Sequence, residues 1–93
     1  MATAVEIGTL LDRDPRIRGG RPKIAGTGIT VMRVAIWHNM GWSPEEIADN
    51  YDHINLAQVH AALAYYHANR EEIDSDIAAE EATLLELERR HHK

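Results

Sequence analysis

Five basic side chains lie close together near the start of this 93-residue chain: Arg13, Arg16, Arg18, Arg21 and Lys23. Guanidinium and ammonium groups at this density attract phosphate oxygens. Residues 1–42 carry six Lys or Arg against three Asp or Glu, whereas residues 43–93 carry four against twelve, giving formal charges of +3 and −8. The first part therefore suits nucleic acid and the second a basic protein surface. The alternative is that both parts are solvated and keep the protein in solution.

Two side chains able to contact DNA bases, Asn55 and Gln58, lie at the start of the third predicted helix. Asn and Gln amides hydrogen-bond to base edges in the major groove. This helix has no Lys or Arg before Arg70, so its phosphate contacts must come from the basic segment. A short helix, a turn and a longer helix are the order of a helix-turn-helix, although three-helix cores without DNA binding share that order. The sequence leaves both interpretations open.

The segment from about Asp74 to Lys93 combines an apolar stripe with a strongly acidic run. Between Glu71 and Glu88 there are eight acidic residues and no Lys or Arg. Its candidate partner-binding side chains are Ile77, Leu84, Leu85, Leu87, Arg89 and Arg90. Such a helix suits the basic groove in which a ribonuclease holds RNA. The alternative is a helix that packs within an oligomer, with the arginines placed favourably at its C-terminus.

Catalytic residues are not indicated. The chain has no Cys, and Ser43 is explained as a helix cap. Gly19-Gly20-Arg21-Pro22 lacks the spacing and the Lys-Ser/Thr ending of a phosphate-binding loop. We interpret these glycines as a tight turn against the helices, with Arg21 paired with an acidic neighbour. The sequence predicts neither an enzyme nor a cofactor.

The histidines do not predict a metal site. His53, His60 and His67 recur every seven residues, whereas zinc ligands on one helix lie about four residues apart. We therefore expect these three side chains to face solvent. We do not assign a metal site to His91 and His92 beside Glu88.

Glycine and proline divide the chain, since all six Gly lie at or before Gly41 and all three Pro at or before Pro44. The front segment is typical of one or two short strands between turns. The first helix is predicted to begin after an N-cap at Thr30, to run from Val31 to Met40 and to stop at Gly41. This helix is apolar nearly all round, so we expect it at the centre of the fold.

Capping residues mark two further helix starts. Ser43-Pro44-Glu45-Glu46 predicts a capping box with proline in the first helical position, and this short helix is expected to bury Ile47, Ala48 and Tyr51. Asn55, with Gln58 three positions on, begins the third helix. A stripe of 3.6-residue period predicts that the third helix is long: Leu56, Val59, Leu63, Tyr66 and Ile73.

These elements predict a mainly α protein with N-terminal strands, a helix-turn-helix core within residues 1–73 and a helical arm at 74–93. Leu10, Leu11, Ile24 and the first helix offer more apolar surface than 93 residues can cover, so we expect a dimer or larger oligomer. No apolar run approaches the ~20 residues of a membrane span. The absence of cysteine and of a signal-peptide pattern favours the cytoplasm.

Three stretches carry a resemblance to a known family. Gly19 to Ile29 forms a glycine-rich loop, Gly41-Trp42-Ser43-Pro44-Glu45-Glu46-Ile47 begins the second helix, and Val59-His60-Ala61-Ala62-Leu63-Ala64-Tyr65-Tyr66 lies in the third. Their ordered succession over about residues 7–73 resembles the small bacterial DUF433 family, which is grouped with VapB-type antitoxins. The family commonly has arginine where this chain has Ala25 and Gly28, so two positive charges are missing here.

The resemblance implies a homeodomain-like helix-turn-helix with an N-terminal strand, oligomeric and often paired with a PIN-like ribonuclease toxin. The expected function is that of a type II antitoxin that neutralises such a toxin and binds its own operator DNA. The basic segment and Asn55 with Gln58 are the expected DNA contacts, and the arm is the expected toxin contact. The alternative is a protein-binding module with a trihelical core and no DNA binding.

Overall fold

The computed structural model describes residues 4–91 as a short two-stranded antiparallel sheet followed by four α-helices. The elements are β1 (Leu11–Asp12), β2 (Lys23–Ile24), α1 (Val31–Asn39), α2 (Pro44–Asp49), α3 (Leu56–Ala68) and α4 (Arg70–His91). Two short 3₁₀ helices, Ile7–Leu10 and Arg18–Gly20, lie before β1 and between the strands. The predicted mainly α class with N-terminal strands is confirmed. Within residues 4–91, no helix has the length and apolar character needed to cross a membrane.

The N-terminal segment is held against the helices by a small hydrogen-bonded sheet. Leu11 of β1 lies opposite Ile24 of β2. Between the strands, the three residues Arg18–Gly20 all have positive φ, from 51° to 77°, so the predicted tight turn is confirmed. The Val31 amide donates to the Pro22 carbonyl at 2.9 Å, which joins the sheet to the start of α1.

Helix α1 is central, as predicted from its apolar composition. The Thr30 side chain caps it by accepting from the Arg33 amide, and Gly41 follows its end with φ of 96°. Helix α1 packs against α2, α3, α4 and β2. The fully buried side chains of the core come from all of these elements: Ile24, Val31, Val34, Ile47, Val59, Tyr66 and Ile73.

Burial of Ile24 changes the basis of the oligomer prediction. Ile24 is 0% exposed within the single chain, so it is not available to a subunit contact. Leu10 and Leu11 are half-buried. Self-association therefore stays a prediction, and the exposed apolar residues available to it lie elsewhere, with Met40 and three leucines of α4 among them.

Both predicted capping boxes are present. The Ser43 hydroxyl accepts from the Glu46 amide at 3.1 Å and the Glu46 carboxylate accepts from the Ser43 amide at 2.8 Å. Asn55 and Gln58 make the same reciprocal pair at the start of α3. Ile47 of α2 is fully buried, while Ala48 of α2 and Tyr51, which follows the helix, are half-buried and pack against the core.

The prediction of one long third helix was wrong. Helix α3 ends at Ala68, and Asn69 leaves the helical conformation with φ −135° and ψ 46°. The Asn69 side-chain amide donates to the Tyr65 carbonyl at 3.1 Å, so a polar side chain satisfies the end of the helix. Ile73 consequently belongs to α4. Leu56 was also misplaced in the buried stripe, because it lies in the first turn of α3 and is 41% exposed.

Helix α4 is one continuous helix that begins before the arm predicted from Asp74. Its first turns belong to the folded body, since Ile73 is fully buried and Ile77 packs against the core. Residues 81–90 are all exposed. The principal dimensions of 63 × 28 × 25 Å show a small body from which the second half of α4 projects.

Candidate functional site

Lys23, one of the five predicted phosphate-binding residues, is buried. Its side chain is 4% exposed, and its Nζ lies 2.7 Å from a carboxylate oxygen of Asp12. The two residues are directly paired across β1 and β2. Because a buried ammonium group is stable only with such a partner, the ion pair holds the sheet together and is not open to a ligand.

Arg13 joins the N-terminal segment to α3 and α4. Its Nη2 donates to the Tyr65 hydroxyl at 2.6 Å and to the Glu72 carboxylate at 2.8 Å, and Tyr65 also donates to Glu72 at 2.7 Å. The bonds from Arg13 and Tyr65 lower the pKa of Glu72, and the bond to Glu72 raises the pKa of Arg13. Desolvation and the bond to Glu72 raise the pKa of Tyr65.

Arg21 lies over the acidic side of α4. Its guanidinium nitrogens are 3.7 Å from Asp76 and 3.7 Å from Glu80. The predicted pairing of Arg21 with an acidic neighbour is therefore confirmed. Part of the acidic run of α4 neutralises the basic segment within the same chain.

The other two basic residues differ in their surroundings. Arg16 is 89% exposed and pairs with Asp14 in its own turn, which lowers the pKa of Asp14. Arg18 Nε donates to the Gly28 carbonyl at 3.3 Å. The five residues predicted to act together on phosphates thus lie in separate environments. Of these five, Arg18 is the one that has no carboxylate within 4.0 Å among residues 4–91.

Asn55 and Gln58, the predicted base-contacting residues, both take part in the cap of α3. Asn55 Oδ1 accepts from the Gln58 amide at 3.0 Å, and Gln58 Oε1 accepts from the Asn55 amide at 2.7 Å. The side-chain NH₂ groups remain as donors. An outside partner therefore meets donors at this helix start.

Histidines and carboxylates do not converge on a metal site. His53, His60 and His67 are exposed, as expected from their spacing. No group of three or more metal-ligating side chains is found within residues 4–91. His92 lies outside the described residues.

The second half of α4 presents an apolar stripe that has no packing partner among residues 4–91. Leu84, Leu85 and Leu87 are 57%, 60% and 52% exposed. Leu84 continues the helix face that buries Ile73 and Ile77, because it lies within about 20° of both round the helix. Leu87 lies about 40° from Ile73 at the edge of that face, and Leu85 lies about 100° from Leu84. We call Leu84 with Leu87 the distal stripe.

Arg89 lies on the other side of α4 from the distal stripe, whereas Arg90 lies about 60° round the helix from Leu87. Their guanidinium groups are 3.6 Å and 3.4 Å from the carboxylate of Glu86. Glu86 lies about 160° round the helix from Leu84 and about 100° from Leu87. Arg89 and the leucines therefore face different directions, whereas Arg90 can contact a partner beside Leu87.

The sequence did not indicate two cavities that flank the N-terminal segment. One is an open apolar groove of about 490 Å³ between this segment and α3, lined in part by Ile7, Leu11, Ala61 and Ala64. The other is a polar cavity of about 330 Å³ that includes Arg33 of α1 in its lining. The sequence carried one signal for the second cavity: Arg33 lies in the first turn of α1, which has no acidic residue. A positive charge is unfavourable at that position because of the helix dipole.

The sequence profile of the family described as protein of unknown function (DUF433) matches residues 11–66. The chain is also similar to a DUF433 member protein from Anabaena variabilis ATCC 29413, whose crystal structure was determined at 2.00 Å resolution. The two chains are 30% identical, the TM-score is 0.71, and the match covers 75% of this chain and 69% of the other. Among curated proteins, none matches the chain. The protein belongs to the DUF433 family.

Proposed function

We propose that the protein is the antitoxin of a type II toxin–antitoxin system and that the second half of α4 neutralises a PIN-like ribonuclease toxin. The observation that supports this most directly is the distal stripe, which continues a buried helix face beyond the body and stays exposed. Exposed leucines on a projecting helix are suited to a hydrophobic groove of another protein.

Charge supports the same partner. Beyond the residues that pair with Arg13 and Arg21, α4 still carries Glu81, Glu86 and Glu88 on exposed positions. A ribonuclease binds the polyanion RNA in a basic groove, so an acidic helix is complementary to that groove. Arg89 and Arg90 are proposed to enter the carboxylate cluster with which a PIN-like nuclease holds its metal, by bidentate pairing.

Truncation after Glu81 tests this proposal without disturbing the body, because Ile73, Ile77 and the partners of Arg13 and Arg21 are all retained. Co-expression with the product of the neighbouring gene, which this proposal expects to be PIN-like, is expected to yield a complex with the full chain and none with the truncated chain. The truncated chain should keep the melting temperature of the full chain within a few degrees, and ribonuclease activity should return. Inhibition by the truncated chain would place the toxin contact on the body instead.

Operator binding is the second part of the proposal. The order of α2, a turn and α3 is that of a helix-turn-helix, and the donors of Asn55 and Gln58 stand at the start of α3. A module that binds protein alone is the second candidate. It is favoured by the internal ion pairs of Arg13, Arg21 and Lys23, because paired arginines and lysines release fewer counterions on meeting DNA.

A mobility-shift assay with the protein's own upstream DNA separates these candidates. Gln58→Glu keeps an oxygen for the Asn55 amide but removes the NH₂ donor, so preference for the operator over scrambled DNA should fall by about 10- to 100-fold. Ala57→Glu adds the same charge at an exposed neighbouring position and should weaken both DNAs equally. No shift of any upstream fragment at low salt would support the protein-binding module.

A further inference from the structure

The polar cavity of about 330 Å³ lies where the N-terminal segment, α1 and α4 meet. Three arginines line it, Arg18, Arg21 and Arg33, against one carboxylate residue, Glu80. Its volume falls at the lower end of the ~300–1,000 Å³ typical of small-molecule pockets. Three guanidinium groups around one concave surface repel each other unless an anion lies between them.

Arg21 is neutralised, but the other two arginines are not. Asp76 and Glu80 each lie 3.7 Å from Arg21. Within residues 4–91, neither Arg18 nor Arg33 has a carboxylate within 4.0 Å. The uncompensated positive charge of the cavity therefore comes from Arg18 and Arg33.

Arg18 reaches the cavity through a costly backbone conformation. It is the one non-glycine residue of positive φ among residues 4–91, at 51°. Its Nε donates to the Gly28 carbonyl, and the side chain lies 3.9 Å from the position that a Cβ on Gly28 would occupy. Left-handed residues other than glycine, asparagine and aspartate are uncommon, and such strain concentrates at binding sites.

Arg33 brings a second unfavourable arrangement to the same cavity. It lies in the first turn of α1, and that turn contains no acidic residue. The positive end of the helix dipole therefore adds to the guanidinium charge. Tyr51 also lines the cavity. Its hydroxyl accepts from Trp37 Nε1 at 2.9 Å, so the hydroxyl proton is available to an acceptor.

We propose that this cavity is a binding site for a phosphate group, held by Arg18 and Arg33 and walled by the Arg21 ion pairs. A phosphate offers each guanidinium two oxygens, which is the geometry that arginine matches best. The group belongs either to a small phosphorylated ligand or to a DNA backbone. The phosphate site can exist whether or not the protein neutralises a toxin or binds an operator, because the cavity recognises the phosphate group itself.

Inorganic phosphate, titrated into the ¹⁵N-labelled full chain at constant ionic strength, tests the proposal by NMR. We expect saturable shifts of the amides from Gly28 to Arg33 and of the Arg18 and Arg33 Nε–H groups, with a Kd of about 1 mM or tighter. Arg18→Asn, which tolerates positive φ, and Arg33→Gln should each weaken binding about tenfold or more. Glu80→Gln should tighten binding, because it removes the negative charge from the wall.

Arg70→Gln is the matched control, since Arg70 is an exposed arginine of α4 that does not line the cavity. It should leave the Kd for phosphate unchanged. If a short DNA duplex competes with phosphate for the wild-type chain, and this competition is lost in the Arg18 and Arg33 variants, the DNA backbone is the source of the group. Phosphate binding without such competition would identify a small ligand. Unsaturable shifts, or equal weakening by Arg70→Gln, would overturn the site.

Discussion

At the residue scale, Arg13 shows how a basic segment becomes neutral in the folded chain. In the sequence it is one of five closely spaced positive charges, but its partner Glu72 lies fifty-nine positions further on. The same holds for Arg21 with Asp76 and Glu80. The sequence therefore predicted the charge correctly, and an acidic partner for Arg21, but not which carboxylates of α4 compensate the two arginines, because that depends on how α4 returns to the N-terminal segment.

The pH dependence of stability tests the Arg13–Tyr65–Glu72 cluster. The pKa of Glu72 is lowered in the folded state from 4.5, so its stabilisation is complete above that pH and is lost as the pH falls through the folded pKa. Glu72→Gln should therefore lower the free energy of unfolding at neutral pH, and its difference from the wild type should shrink below about pH 4.5.

Denaturant unfolding between about pH 3 and pH 7 measures this difference. Glu71→Gln is the control, since Glu71 is an exposed neighbour that has no ion pair among residues 4–91, and its curve should follow the wild type. If the free energy of unfolding of Glu72→Gln runs parallel to that of the wild type at every pH, the role given to the Glu72 carboxylate is contradicted.

At the element scale, the capping box of α2 should set much of the local stability. Ser43→Ala removes the acceptor of the Glu46 amide and should cost about 1 kcal/mol, lowering the melting temperature by roughly 4–8 °C. Ser75→Ala is the control in the exposed interior of α4, where alanine favours the helix slightly. Equal melting temperatures for the two variants would show that the cap contributes nothing.

Helix starts and the central place of α1 were predictable because they follow from short-range patterns: Thr30, Ser43 and Asn55 each bond within three residues. The break at Asn69 was not, because asparagine is compatible with a helix until tertiary packing decides its conformation. The break also sets where α4 begins. The polar cavity was likewise not predicted: Arg33 in the first turn of α1 was a signal, but the cavity itself depends on three segments meeting around Arg18 and Arg33.

At the scale of the whole molecule, the two halves of the acidic helix α4 lie in different surroundings. The first half of α4 neutralises Arg13 and Arg21 and buries Ile73, so it completes the body. The second half leaves the body with its leucines exposed. Association through this half would combine burial of the distal stripe with attraction to a basic surface.

Inhibition of the proposed PIN-like ribonuclease partner by full-length variants is the most direct test of this account. Leu84→Ser with Leu87→Ser should weaken inhibition by about 100-fold or more, since burying each leucine contributes about 1.5–3 kcal/mol. Ala79→Ser with Ala82→Ser changes two exposed positions of α4 away from the distal stripe and should inhibit like the wild type. If the leucine variant is folded and silences the nuclease as well as this control does, α4 is not the toxin-binding element.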